Sequence, residues 1–321
     1  MPPSTVLILS GGPDAERAVS LMSGAAVAEA LRRIDRFRVV SEVIDRPTAD
    51  RLRPLIEREK VDVIFPVLHG RWGEGGALQE ILEDLGRAYV GSRPRPAALA
   101  MDKLTTKTLL ADDDVPTPPA RPLRPEDDCD LGPPLVIKPI DDGSSVDLRI
   151  CRTKEQIAAA RAELHPRRER LMAERYIAGR ELTVGIVCGE ALPLIEIIPS
   201  DAVEFYDYQA KYERDDTRYI VEPEVPAEID LRCRELALLA FRRLGCRDLA
   251  RVDFMLDARG PWLLEVNTMP GFTSHSLVPL AARHTGVDMS ALCATLVDAA
   301  AARGAALDAA STTAAYLSGG R

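Results

Sequence analysis

Glu265 and Asn267 stand two residues apart inside the apolar run "WLLEVN". Successive strand residues point to opposite faces, so these two share one face. A buried carboxylate without a partner is costly. The preceding run, "LARVDFMLD", is separated from this one by the turn-forming residues Asp257, Arg259, Gly260 and Pro261, which predicts a hairpin. With the turn centred on Arg259, Asp253 falls opposite Glu265 and Arg251 opposite Asn267. All four then share a face, and a one-residue slip would break the set. Like charges directly across a sheet destabilise it, so something positive belongs between the carboxylates. Two readings fit. One is a hard divalent cation held by the oxygens of Asp253, Glu265 and Asn267. The other is an Arg251–Asp253–Glu265 ion-pair cluster without metal. Magnesium would take its remaining oxygens from water and substrate phosphates, which points to a nucleotide.

Phosphate oxygens have a candidate cradle. Lys138 ends the apolar run "LVIKP", and Gly143, Ser144 and Ser145 follow it. Backbone N–H groups and hydroxyls in such a loop can hold phosphate. This is not a Walker A loop, because the lysine precedes the glycine. Taken alone, a lysine at a strand end is a solvated charge. Lys103 and Lys107, spaced i, i+4 on one helix, likewise read alone as a solvated face.

The elements that must position these residues follow from periodicity. "TVLILS", "FRVVSEVI" and "VDVIFPVLHG" read as strands, with helical spacing in "ERAVSLMSGAAVAEALRRI" and "TADRLRPLIEREK" between them. A β-α-β-α-β order predicts a parallel sheet in an α/β domain. Ligands bind beyond the carboxyl ends of such strands, where "SGGPDAE" and "HGRWGEGG" lie. The glycines of "SGGPDAE" do not form G-x-G-x-x-G, which argues against a dinucleotide oxidoreductase. The chain divides into an N-terminal domain at 1–100, a central lobe at 101–183, a C-terminal lobe carrying the carboxylate hairpin at 184–303, and a frayed tail at 304–321. No internal repeat is visible.

Bulk properties narrow the class. A chain of 321 residues is long enough for two or three packed lobes. A formal net charge of −9 argues against nucleic acid as main partner. No run has the length of a membrane span or the pattern of a signal peptide. The 6 cysteines include no C-x-x-C pair, which fits neither zinc nor a disulfide framework. The expectation is a reduced, cytoplasmic, soluble protein.

Read in order, "GGPDAERAVSLMSG", "HGRWGEGGALQ", "AMDK", "VIKP" with "GSSV", "ERYIAGRE", "FYDYQAKY", "ARVDF" and "LEVNTMPGFTSHSLVP" resemble the D-alanine–D-alanine ligase family of the ATP-grasp superfamily. The resemblance runs from about residue 5 to 300. It implies an N-terminal parallel-sheet domain and two α+β lobes that clamp ATP. It implies ATP-dependent joining of two D-alanines through an acyl phosphate, for peptidoglycan precursors. Two magnesium ions are implied, with manganese as a substitute, and so is a homodimer.

The resemblance also assigns roles. Asp253 would hold one metal ion, Asn267 the other, and Glu265 both. Lys103, Lys138 and Lys211 would contact phosphates, as would the loop at Ser144 and Ser145. Glu174 and Ile177 would line the adenine, and Glu181 would hold the ribose. Glu16, with His69 close by, would receive the first D-alanine. Ser276 and Leu277 would receive the carboxylate of the second. Arg251 and the Gly271 N–H would stabilise the tetrahedral oxyanion. Ser144 and Tyr212 would join Glu16 in a set that closes the site. Tyr212 resembles the dipeptide-forming members, because those making D-alanyl-D-lactate often carry histidine there.

Three positions depart from the family pattern. Asp147 replaces a glycine after "GSSV", Gly75 replaces the aspartate of "GEDG", and Asp14 stands where a small hydroxyl residue is common. A carboxylate at 147 would repel ATP unless it turns outward or finds a cation. The departures keep two alternatives open: a ligase with a different acceptor such as D-serine, and a catalytically impaired nucleotide-binding relative.

Overall fold

A computed structural model describes residues 3–125, 130–143, 146–199 and 217–318. The chain opens with β1 (Ser4–Gly11), α1 (Arg17–Arg32), β2 (Phe37–Ile44), α2 (Ala49–Glu59), β3 (Val63–Pro66), α3 (Gly70–Glu74), α4 (Ala77–Leu85) and β4 (Ala88–Tyr89). Two helices follow, α5 (Pro94–Met101) and α6 (Lys103–Ala111). The middle of the chain gives β5 (Ala120–Leu123), β6 (Leu135–Pro139), β7 (Arg149–Cys151), α7 (Lys154–Leu164) and β8 (Leu171–Arg175). The last part gives β9 (Arg180–Val187), β10 (Glu190–Ala191), β11 (Ile195–Ile198), β12 (Arg218–Val221), α8 (Ala227–Leu244), β13 (Leu249–Asp257), β14 (Gly260–Asn267), α9 (Leu277–His284) and α10 (Met289–Ser318).

The first sheet is parallel, in the order β2-β1-β3-β4. β1 is buried on both faces, which is why it reads as an unbroken apolar run rather than an alternation. Val6 and Ile8 face one core with Val27 and Leu31 of α1 and Leu292 and Leu296 of α10. Leu7 and Leu9 face the other, with Leu52, Ile56, Leu78 and Leu82. The end of the chain thus returns to cover the first sheet.

The second sheet is antiparallel, in the order β5-β8-β6-β7. Leu135, Ile137, Leu171 and Ala173 pack against Ile157 and Leu164 of α7. That helix opens with a capping box between Thr153 and Gln156. The opposite face carries Val136 paired with Glu174 and, one step along, Lys138 paired with Met172.

The third sheet runs β12-β11-β9-β13-β14. Helix α8 buries Leu236, Ala240 and Leu244 against Leu182, Val184, Val252 and Phe254. By alternation the other face carries Thr183, Arg251 and Asp253. β9 belongs wholly to this sheet, so the break from the second sheet falls between Arg175 and Arg180, ahead of the expected boundary at 183.

The expected hairpin register holds, by an unexpected route. Asp253 pairs with Glu265 and Arg251 with Asn267. The turn itself is tighter than one centred on Arg259, because Asp257 pairs with Gly260 and Phe254 with Leu263. A bulge at Asp253/Phe254 absorbs Leu264 and restores the register of the polar face. The chain end differs too. α10 continues to Ser318, past the point where fraying was expected, and the segment is rich in alanine, the strongest helix former.

Candidate active site

The polar face of the third sheet is tightly paired. The Arg251 guanidinium donates to Asp253 through Nε at 2.9 Å and Nη2 at 2.8 Å. The Thr183 hydroxyl donates to Asp253 Oδ1 at 2.6 Å. Glu265 Oε2 lies 3.2 Å from Lys103 Nζ. Asn267 Oδ1 accepts the Met269 N–H at 2.9 Å. Each carboxylate thus meets a cation, Asp253 through Arg251 and Glu265 through Lys103.

The same residues fit a hard cation. Three side chains present oxygen donors on one face of one hairpin. Among the described residues no three His, Cys, Asp or Glu side chains converge, so this is a partial shell of two carboxylates and an amide. Such a shell suits magnesium, which completes its coordination with water and substrate phosphates, and not a structural zinc site.

Lys103 and Lys107 do not form a solvated face. They are 6% and 7% exposed and point inward from α6. Lys103 Nζ also donates to the carbonyl of Asp142 at 2.6 Å. Asp102 caps this helix by accepting the Thr105 N–H at 2.8 Å, and Arg170 holds Asp102 at 2.6 Å. Lys107 lies 2.7 Å from Glu174, and Lys138 lies 2.6 Å from the same carboxylate. Burial pushes the Glu174 carboxyl up, but the two lysines outweigh it and hold the group below its usual range. Burial lowers Lys107 against the opposing pull of Glu174.

Three adjoining clefts join these groups. One, between the second and third sheets, is lined by Lys138, Glu174, Ile177, Glu181 and Leu264. The next is lined by Lys103, Lys138, Glu181, Asp253, Leu264 and Glu265. The last is lined by Glu16, Lys103, Arg251, Glu265, Asn267, Gly271, Ser276 and Leu277. Each shares walls with the one before it, so the path is continuous from Ile177 to Ser276. Ser144, Ser145, Lys211 and Tyr212 lie outside the described residues.

Glu16 stands at the N-terminus of α1 and makes no side-chain cap there. Its side chain is buried and lines the wall of the last cleft. His69 does not line the cleft. It lies behind the wall, with Nδ1 donating to the carbonyl of Met269 at 2.9 Å and Nε2 3.4 Å from the Ser23 hydroxyl. Ser23 in turn accepts the Phe272 N–H at 3.1 Å. Burial lowers the imidazole, with Glu16 opposing, which suits this neutral tautomer. His69 thus fixes the loop that carries Gly271. A Cβ on Gly271 would come within 2.8 Å of Ser276 Oγ, so glycine permits that approach.

Glu74 is the residue sequence reasoning missed. It is buried, lines the last cleft, and accepts the Gly70 N–H at 3.0 Å and the Met269 N–H at 3.3 Å. Burial first, then the charge of Glu16, push its carboxyl up to about 8. Its signal was its place in "HGRWGEGG", at the carboxyl end of a parallel strand. Asp142 also lines two of the clefts.

The departures have local explanations. Asp147 adopts φ +58°, a conformation that glycine and, less readily, aspartate tolerate. It has found cations: Arg168 Nε donates to it at 2.7 Å, and Arg167 and Arg149 lie 3.4 and 4.0 Å away. Asp14 accepts the Trp72 N–H at 2.9 Å and so fastens the start of α3. Gly75 packs against Arg71, whose carbonyl lies 2.2 Å from where a Cβ would be.

Two sheets that face each other across a lysine-lined cleft, with a paired carboxylate face at its floor, define an ATP-grasp enzyme. Models of the D-ala D-ala ligase N-terminus and C-terminus match residues 41–92 and 123–298. The chain belongs to the D-alanine–D-alanine ligase family. It is 44% identical over 294 residues to the D-alanine–D-alanine ligase of Alkalilimnicola ehrlichii, covering 90% of this chain and 92% of that one. It is 41% identical over 299 residues to that of Acinetobacter baumannii, covering 91% and 95%. The crystal structure of the Bacillus anthracis ligase complexed with ATP superposes with a TM-score of 0.80 at 30% identity, covering 94% of this chain and 98% of that one. The Coxiella burnetii ligase gives 0.83 at 23% identity, covering 99% of each chain, and bears on the fold alone.

Proposed function

We propose that the protein joins two D-alanine molecules into D-alanyl-D-alanine at the expense of ATP, for peptidoglycan precursors. The observation that carries the reading is the continuous path of three clefts. Its walls change from apolar with Glu174 and Glu181, through lysines and paired carboxylates, to Glu16, Arg251 and Ser276. That order matches base, phosphates and amino acids.

In this reading Ile177 packs the adenine beside Glu174, and Glu181 takes the ribose. Lys103 and Lys138 meet the phosphates, with Lys211, Ser144 and Ser145 completing the set. Asp253, Asn267 and Glu265 would hold two magnesium ions, or manganese in their place, and the bound metal would supply charge neutralisation to the transferring phosphoryl group. Glu16 binds the ammonium of the first D-alanine and orients its carboxylate. A carboxylate oxygen attacks the γ-phosphorus, and ADP leaves. The deprotonated amine of the second D-alanine, whose carboxylate rests at Ser276 and Leu277, attacks the acyl carbon. Arg251 and the Gly271 N–H hold the developing oxyanion, and phosphate departs. Tyr212 and Ser144 close the site with Glu16 and exclude water. His69 acts by holding the Gly271 loop.

The protein works in the cytoplasm as a homodimer in this reading. Free cysteines such as Cys233 and Cys293 suit a reducing compartment, and among the described residues no single helix is long and apolar enough to cross a membrane. Leu21, Met22 and Val43 expose apolar surface on the N-terminal layer, which supports self-association there. The test is ATP-dependent phosphate release with D-alanine, L-alanine, D-serine and D-lactate, with products identified by mass. Dipeptide from D-alanine alone is expected. Release with D-serine or D-lactate as preferred acceptor would overturn the substrate assignment.

A further inference from the structure

Lys107 has no role in the reaction described above, yet it is buried in the nucleotide half of the molecule. It lines none of the three clefts. Its Nζ lies 2.7 Å from Glu174 Oε2 and 3.3 Å from the carbonyl of Pro118. Lys138 Nζ takes the other oxygen, Oε1, at 2.6 Å. The cluster therefore holds two cations and one carboxylate in a buried place.

The two lysines are not equivalent. Lys138 rises from β6 into both the nucleoside cleft and the phosphate cleft. Lys107 approaches Glu174 from α6, on the side away from both. Of the two lysines on Glu174, Lys138 alone lines the phosphate cleft and can meet an anion entering it. When Lys138 turns to that anion, Glu174 loses a partner, and a buried carboxylate with no partner is strongly unfavourable. A second cation, fixed from behind, removes that penalty.

We propose that Lys107 is a positioning residue for nucleotide binding: it holds the Glu174 carboxylate so that Lys138 is free to turn to a phosphate of the nucleotide. The inference rests on the ATP reading above. Without Lys107, Lys138 is committed to Glu174, and phosphate binding must break a buried ion pair.

The experiment is a cycle of four full-length proteins: unmodified, Lys107→Met, Glu174→Gln and the double variant. Dissociation constants for magnesium-ATP are measured by calorimetry, and KM for ATP and kcat by phosphate release. Lys107→Met is expected to weaken ATP binding by about thirtyfold or more, with kcat at saturating ATP within about threefold of the unmodified protein. Removing the carboxylate removes the need for Lys107. In the Glu174→Gln background, Lys107→Met should therefore change ATP affinity by less than about threefold. This second comparison stands even where Lys107→Met alone fails to fold. Unaltered ATP affinity in Lys107→Met would overturn the proposal, as would a loss beyond about tenfold in the Glu174→Gln background, which would mean that Lys107 acts on the nucleotide directly. Absence of ATP binding by the unmodified protein would instead overturn the function reading, and this inference with it.

Discussion

Asp253 and Glu265 stand directly opposite one another on β13 and β14, and each carboxylate is met by a different cation. Arg251 grips Asp253 from two residues away on the same strand, and Lys103 reaches Glu265 from α6. The arrangement resolves a like-charge pair that would otherwise destabilise the hairpin. It also keeps oxygen donors gathered on one face. Truncating one of them separates these roles. Glu265→Ala leaves Lys103 its bond to the carbonyl of Asp142, so the fold should survive. Turnover should fall by two to three orders of magnitude, the scale of losing one electrostatic stabiliser of the transition state. A thermal melt and a magnesium titration of kcat check this together. Activity within a few-fold of the unmodified protein would remove Glu265 from the cation-holding set.

Asp147 follows the proposed phosphate loop, where its charge alone would repel ATP. The structure argues that little of that charge reaches the nucleotide. Arg168 ties Asp147 to Asp142, with 2.7 Å contacts to each, and Arg167 stands beside them. Asp147→Gly keeps the left-handed backbone accessible and frees the arginines. ATP affinity at moderate salt should change by less than about threefold, because the neighbouring arginines already offset the carboxylate and salt screens the remainder. A tenfold gain in affinity, measured by calorimetry, would show that the carboxylate does repel the phosphates.

The fold was legible where a short-range pattern decides it. β1, β2 and α1 follow from apolar runs and helical spacing, whereas the register of Asp253 and Glu265 matched the expectation only because a bulge offsets the tighter turn. The bulge at Leu264 was not legible, because its only trace is one extra residue in the apolar stretch Trp262–Leu264. Sequence spacing also misplaced Lys103 and Lys107. Two lysines at i, i+4 describe a solvated face until a distant strand supplies Glu174 and a distant hairpin supplies Glu265. Glu74 was passed over for a related reason. Its burial depends on Gly70 and Met269 meeting around it, and the latter contact spans 195 residues.

Gly75 marks a place where restoring the family's usual residue should do harm. A Cβ there would lie 2.2 Å from the carbonyl of Arg71 and 3.3 Å from Met101 Cγ. The first neighbour is backbone and cannot swing away. Gly75→Asp should therefore shift the end of α3 and lower stability by about 1–3 kcal/mol, the usual range for overpacking. Denaturant unfolding measures this directly. A stability equal to that of the unmodified protein would mean that the α3 end relaxes freely, and that Gly75 is a neutral departure.

Glu74 gives a prediction in pH. Its carboxyl is raised from 4.5 to about 8, by burial first and by Glu16 second. The unfolded chain releases this proton near pH 4.5, and the folded protein keeps it until about pH 8. Across that window the folded state binds more protons than the unfolded state, so stability declines as pH rises. The contribution is complete below the lower value and lost above the higher one. Glu74→Gln removes the titration while keeping an acceptor for the Gly70 N–H. The Met269 N–H retains Asn267 Oδ1 at 2.9 Å, so the amide leaves no backbone donor stranded. The variant should therefore lose less stability than the unmodified protein between about pH 5 and pH 9, with Tm read at both ends. Parallel Tm profiles for the two proteins would show that Glu74 ionises without penalty, and that the negative charge beside Glu16 is part of the resting site.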